Sequence, residues 1–153
     1  MNAKECIRER RSIRKFKDQP VDHALLSEIV ETASYAPSWK HTQIARYIAV
    51  EGELKDKIGA ECTSAYPGNG EIIARAPMLI AVTFIKGRSG FERDGSFSTS
   101  KGADWQVFDA GIAAQTFCLA AWDKGIGSVI MGIFDEAKAA SLLNLPEDRI
   151  LAA

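Results

Sequence analysis

The stretch DWQVFDAGIAAQTFCLAAWDKGIGSVIMGIF, residues 104–134, decides the fold class. Its first two thirds are alanine-rich and free of proline, which predicts a long helix over Asp104–Lys124 with Phe108, Ile112, Gln115 and Leu119 along one side. Gly125 stops it. Ala110, Gly111, Ala113 and Ala114 are small enough to let another element approach closely. SVIMGIF, residues 128–134, then reads as a buried strand. A helix running through a glycine turn into an apolar strand implies helices packed on a sheet.

Upstream, MLIAVTFI (residues 78–85) is a nearly continuous apolar run, the pattern of a strand covered on both faces. ARYIAV (45–50) has strand character, and a helix is expected after Gly52. Asp22 is placed to cap a helix whose stripe is Leu25, Leu26, Ile29, Val30 and Ala33, ending before Pro37. Residues 3–11 read as a short charged helix. Ser64–Gly70, with Pro67, Gly68 and Gly70, reads as a turn or loop, and 86–102, with four glycines and four serines, as a long exposed loop. Downstream, Asp135 caps a last helix through Leu143, and a strand begins at Arg149. The 153 residues therefore form one layered domain, 1–153, with helices alternating with strands.

A composition of 46% hydrophobic and 25% charged residues is that of an ordinary globular protein. The net charge of -1 argues against nucleic acid or a membrane surface as the partner. Seven basic residues and two acidic ones between Lys4 and Lys17 nevertheless make that segment +5, leaving -6 on the rest. Cys6, Cys62 and Cys118 are odd in number and widely spaced, which fits reduced, packed thiols. The N-terminus lacks the apolar core of a signal peptide, and no apolar run is long enough to cross a bilayer, so a cytoplasmic protein is expected. No P-loop, G-x-S-x-G, H-E-x-x-H or metal-spaced Cys/His motif is present.

Three segments carry possible chemistry. In RRSIR (Arg10–Arg14) an extended backbone puts Arg10, Ser12 and Arg14 on one side, two guanidinium forks and a hydroxyl converging on an anion such as phosphate. The competing readings are a solvated basic face and, third, a nucleic-acid patch, which the acidic remainder of the chain disfavours. In APSWKHTQ (Ala36–Gln43), Ser38, His41, Thr42 and Gln43 stand beside Trp39, a mixture suited to a flat polar heterocycle. No nucleophile motif surrounds His41, so its expected role is positioning. GIGSVIMG (Gly125–Gly132) permits close backbone approach to a ligand, and equally reads as a helix stop before a core strand.

Taken together and in this order, RRSIRKFKDQPV, ASYAPSWKHTQ and DAGIAAQTFCLAAWDKGIGSVIMGIFDE resemble the FMN-dependent nitroreductase family from about Glu5 onward. The resemblance implies an α+β domain of three layers, a mixed and largely antiparallel sheet flanked by helices, working as a homodimer with FMN at the subunit interface. It implies that Arg10, Ser12 and Arg14, with help from Arg11, hold the FMN phosphate and ribityl chain. Ser38, His41 and Gln43 would contact the ribityl chain and the ring edge, and Ile130, Met131 and Gly132 would bring backbone to the flavin. His41 stands where many members have Asn, which changes the donor and acceptor pattern. Members continue past the position of Ala153 through a further strand and a basic C-terminal segment that this sequence does not contain.

The activity so implied is transfer of hydride from NADH or NADPH through flavin N5 to an electron-poor small molecule such as a nitroaromatic or quinone. Trp39, Phe91 and Phe97 are the candidates for lining the acceptor's face, and no side chain is required as acid or base. The same fold hosts other flavin reactions, and a non-catalytic FMN-binding protein is the further alternative.

Overall fold

The computed structural model describes residues 2–153. The apolar run becomes the middle strand of a three-stranded sheet. Strand β1 (Ala45–Val50) pairs antiparallel with β2 (Leu79–Ile85), Tyr47 opposite Val82 and Ile48 opposite Ala81. On the other edge of β2 lies β3 (Arg149–Leu151), with Leu151 opposite Thr83. Beside these antiparallel pairs, one isolated parallel bridge joins Ser12 to Ser128.

Among the described residues six α-helices surround the sheet: α1 (Ala3–Glu9), α2 (His23–Ser34), α3 (Gly52–Cys62), α4 (Pro67–Arg75), α5 (Asp104–Asp123) and α6 (Glu136–Leu142). The alternation of a strand sends its side chains to two cores. Tyr47 and Ile80 face α2 and α5, packing with Ile29, Ala33, Phe117 and Ala121. Ile48, Val50 and Ala81 face α3 and α6, packing with Ile58, Cys62 and Ala139. The sheet is thus the middle of three layers, in an α+β domain. Fully burying a side chain the size of Ile29 stabilises the fold by about 1.5–3 kcal/mol.

The start of α2 is as the sequence predicts, with the Asp22 carboxylate accepting from Ala24 N at 2.6 Å and more weakly from Leu25 N. Asp135 caps α6 in the same way, through Lys138 N.

Two expectations need correction. Residues 67–70 open α4 instead of forming a loop: Pro67 sits in its first turn, where no N–H is needed. SVIMGIF is not a strand. Apart from the Ser12 bridge at Ser128 it has no strand beside it among the described residues, and Ile130 and Ile133 are exposed. The long helix forms as expected over Asp104–Asp123 and buries Ala110, Ala113, Ala114, Phe117 and Ala121, while Phe108 and Gln115 are exposed. The 86–102 loop is largely exposed, as expected, with its own Ser89, Gly90 and Gly102 buried.

Candidate functional site

Arg10–Arg14 leaves α1 in extended form and is fastened to the turn after α5 by Ile13 N donating to Ser128 O at 3.0 Å. Ile13 points inward against Gly127, so Ser12 and Arg14 alternate outward and are exposed. Among the described residues no carboxylate pairs with Arg10, Arg11 or Arg14. Arg14 Nη1 donates to Ser12 O at 3.3 Å, and Arg11 Nη1 to the carbonyls of Arg8 and Arg10. The segment presents positive charge that no carboxylate pairs with among the described residues.

The second segment is held far more tightly than its sequence implies. Lys40, His41 and Gln43 all have positive φ, at 44°, 57° and 46°. Left-handed backbone costs a non-glycine residue about 1–2 kcal/mol, so the surroundings must impose it. Ser38 does so from within: its hydroxyl accepts from Gln43 N at 2.8 Å and its carbonyl from His41 N at 3.0 Å. From outside, the Asp109 carboxylate on α5 accepts from Trp39 N at 2.9 Å. The His41 and Gln43 side chains remain exposed, with Gln43 Nε2 reaching only the Ser34 carbonyl at 3.4 Å.

The aromatic candidates divide. Trp39 packs on Trp105, ring centroids 4.5 Å apart, and not on Phe91 or Phe97, which pair with each other at 5.0 Å. The two groups are joined by Lys40, whose Nζ donates to Glu92 at 2.7 Å. Ile130, Met131 and Gly132 lie in irregular chain pinned at both ends, by Ser128 at one and by Asn69 Nδ2 donating to Ile133 O at 3.0 Å at the other. Asp109 and Asn69 escaped the sequence reading, since a lone acid in a helix and an asparagine among glycines carry no distinguishing pattern.

The arginine segment stands near the C-terminal end of α5, where Cys6 Sγ donates to Leu119 O, and the Ser38–Gln43 loop near its N-terminal end at Asp109. Ten residues of helix put roughly 15 Å between them along the axis. The chain matches the nitroreductase family over residues 7–70 and 61–153. The chain belongs to the nitroreductase family.

Among its relatives, the YfhC protein of Bacillus subtilis (strain 168), provisionally named an NAD(P)H nitroreductase, is 32% identical over 139 residues, covering 82% of this chain. The chain spans 66% of that relative, just under two thirds. Among solved structures, a nitroreductase family protein from Clostridium novyi NT superposes with a TM-score of 0.82 at 29% identity, covering 99% of this chain and 80% of that one. A provisionally named nitroreductase of Desulfovibrio desulfuricans, solved in complex with FMN, matches with a TM-score of 0.75 at 27% identity, covering 100% of this chain and 83% of its own. The nitroreductase fold therefore extends over the whole of the described chain.

Proposed function

We propose that this nitroreductase-family domain binds FMN and serves an NAD(P)H-dependent reduction of small electron-poor acceptors, nitroaromatics or quinones. The observation that carries the reading is that Arg10 and Arg14 stand two residues either side of Ser12 on an extended segment, with no carboxylate in ion-pair contact with either among the described residues. A phosphomonoester is a dianion, and paired arginines with a hydroxyl donor suit it in charge and in hydrogen bonding. The FMN-bound Desulfovibrio structure and the relatives named for NAD(P)H support the same cofactor pair.

When bound, FMN supplies the hydride chemistry, taking two electrons from the nicotinamide and passing them to the acceptor. The chain's own groups bind and orient. Arg10, Ser12 and Arg14 hold the phosphate, with Arg11 adding charge. The Ser38–Gln43 loop, its backbone already fixed in the left-handed conformation, presents the His41 and Gln43 side chains as donors to a heterocycle's edge, so little backbone ordering remains on binding. The Ile130–Gly132 backbone, free of ladder partners, supplies N–H and C=O groups to the same ligand. No side chain is assigned as acid or base.

The reading includes a homodimer. The face of α5 bearing Val107 and Phe108 is exposed, Phe108 at 59%, and nearby Tyr35 is 82% exposed. An aromatic-bearing helix face of this kind suits a partner's surface. Among the described residues no helix is long and apolar enough to cross a membrane.

The test is the visible spectrum of the purified protein with added FMN, followed by anaerobic NADH and NADPH. Flavin absorbance that bleaches with either nucleotide is the expected result. Failure to take up FMN overturns the cofactor, and bound flavin that neither nucleotide reduces overturns the reductase activity. Light scattering tests the dimer.

A further inference from the structure

Asp109 is 4% exposed, and no cation is paired with it among the described residues. A buried carboxylate of this kind persists only where hydrogen bonds satisfy it. Both of its donors meet one oxygen: Ser89 Oγ at 2.6 Å and Trp39 N at 2.9 Å reach Oδ2. Ser89 is itself fully buried. The donors belong to separate loops. Trp39 opens the strained turn that carries His41 and Gln43, and Ser89 begins the 86–102 loop that carries the Phe91–Phe97 pair.

The rest of the 86–102 loop is built to transmit that tie. Gln106 Oε1 accepts from Gly87 N at 2.6 Å, and Trp105 Nε1 donates to Thr99 Oγ1 at 2.8 Å. Phe97 lies against Gly102, where any Cβ would meet its ring. Pinned to α5 at both ends, the loop is a platform and not a loose insertion.

We infer that Asp109 is a positioning residue that sets the separation between the flavin-edge loop and the Phe91–Phe97 platform, and with it the size of acceptor that fits between them. This rests on the flavin reading given above. A purely structural anchor would affect all acceptors alike; a spacer discriminates among them by size.

The Trp39–Trp105 pair provides a readout that needs no flavin, because two indoles 4.5 Å apart and tilted by 42° give an exciton couplet in far-UV circular dichroism. The full chain is compared with Ser89→Ala, Asp109→Asn and Asp109→Ala for this couplet, for reduction by NADPH, and for KM and kcat with benzoquinone and with a two-ring nitroaromatic. Ser89→Ala cuts only the platform's tie. It is expected to keep the couplet and the rate of reduction, and to change the ratio of the two acceptors' KM values by about tenfold, the effect of one charged hydrogen bond. Asp109→Ala is expected to lose the couplet, and Asp109→Asn, which keeps an acceptor oxygen, to restore it.

A couplet that persists in Asp109→Ala overturns the inference, as does an unchanged KM ratio in folded Ser89→Ala. If the parent protein takes up no FMN, the flavin reading falls by itself. The couplet then still decides whether Asp109 fixes the Trp39 loop on α5, its loss in Asp109→Ala upholding that and its persistence refuting it.

Discussion

Ile13 and Gly127 meet where the arginine segment crosses the turn after α5: a Cβ on Gly127 would lie 2.7 Å from Ile13 Cγ1 and 3.0 Å from its Cβ. The approach is closer than real Cβ atoms make, so any side chain at 127 pushes Ile13 outward. Ile13 is hydrogen-bonded through its backbone to Ser128, and Ser12 and Arg14 flank it. Gly127→Ala is therefore expected to destabilise the protein by about 1–3 kcal/mol, the usual cost of overpacking. It should also weaken FMN retention, because the displaced strap carries the phosphate donors. Thermal unfolding and flavin fluorescence check the two effects; an unchanged melting temperature with unchanged FMN affinity would refute the contact's importance.

Arg14→Ala tests the phosphate grip directly. Hydrogen bonds to a charged partner are worth about 1.5–3 kcal/mol, which predicts roughly a 10- to 150-fold weaker FMN Kd. Arg14 makes no ion pair among the described residues, so the fold should not suffer. Arg14→Lys keeps the charge but not the fork, and belongs between the two. Equal flavin affinity in all three proteins would remove Arg14 from the site.

Much of this architecture is written in local pattern. The apolar run that makes β2, the alanine-rich α5 and the Asp22 and Asp135 caps are each dictated within a few residues of sequence. What failed depended on neighbours distant in sequence. Pro67-Gly68-Asn69-Gly70 has turn composition, yet Gly70 is there because α3 crosses too close for a side chain. SVIMGIF has strand composition, but a strand needs a partner, and beyond Ser128 the segment has none among the described residues. The arginines and the Ser38–Gln43 loop were legible by residue type. Asp109 was not, since its two donors lie 70 and 20 residues away.

The α3–α4 crossing gives a stability prediction. A Cβ on Gly70 would stand 2.7 Å from the Gly59 carbonyl oxygen and 2.6 Å from Thr63 Oγ1. The Gly59 carbonyl already accepts the Thr63 hydroxyl at 2.6 Å, so backbone and side chain are both committed. Gly70→Ala should cost about 1–3 kcal/mol despite alanine's better helix propensity, because overpacking outweighs the roughly 1 kcal/mol gained. Urea unfolding with an unchanged slope and an earlier midpoint is the expected result. A later midpoint would mean that the helices separate at little cost.

The Lys40–Glu92 tie between the two loops gives the last prediction, and it concerns pH. The hydrogen bond from Lys40 Nζ, and then that from the Ser98 hydroxyl, hold the Glu92 carboxyl below its ordinary value. A carboxyl depressed in the folded state stabilises that state fully above its unfolded value of about 4.3, and the benefit is lost as pH falls through the lower folded value. The tie therefore holds at neutral pH and opens only in acid. In a carbon-detected NMR titration Glu92 should protonate below the ordinary glutamate range, and Lys40→Met should move its midpoint upward. Added salt should shift the parent in the same direction, since both partners are solvent-accessible. A midpoint indifferent to Lys40→Met would show that Lys40 does not hold Glu92 in solution.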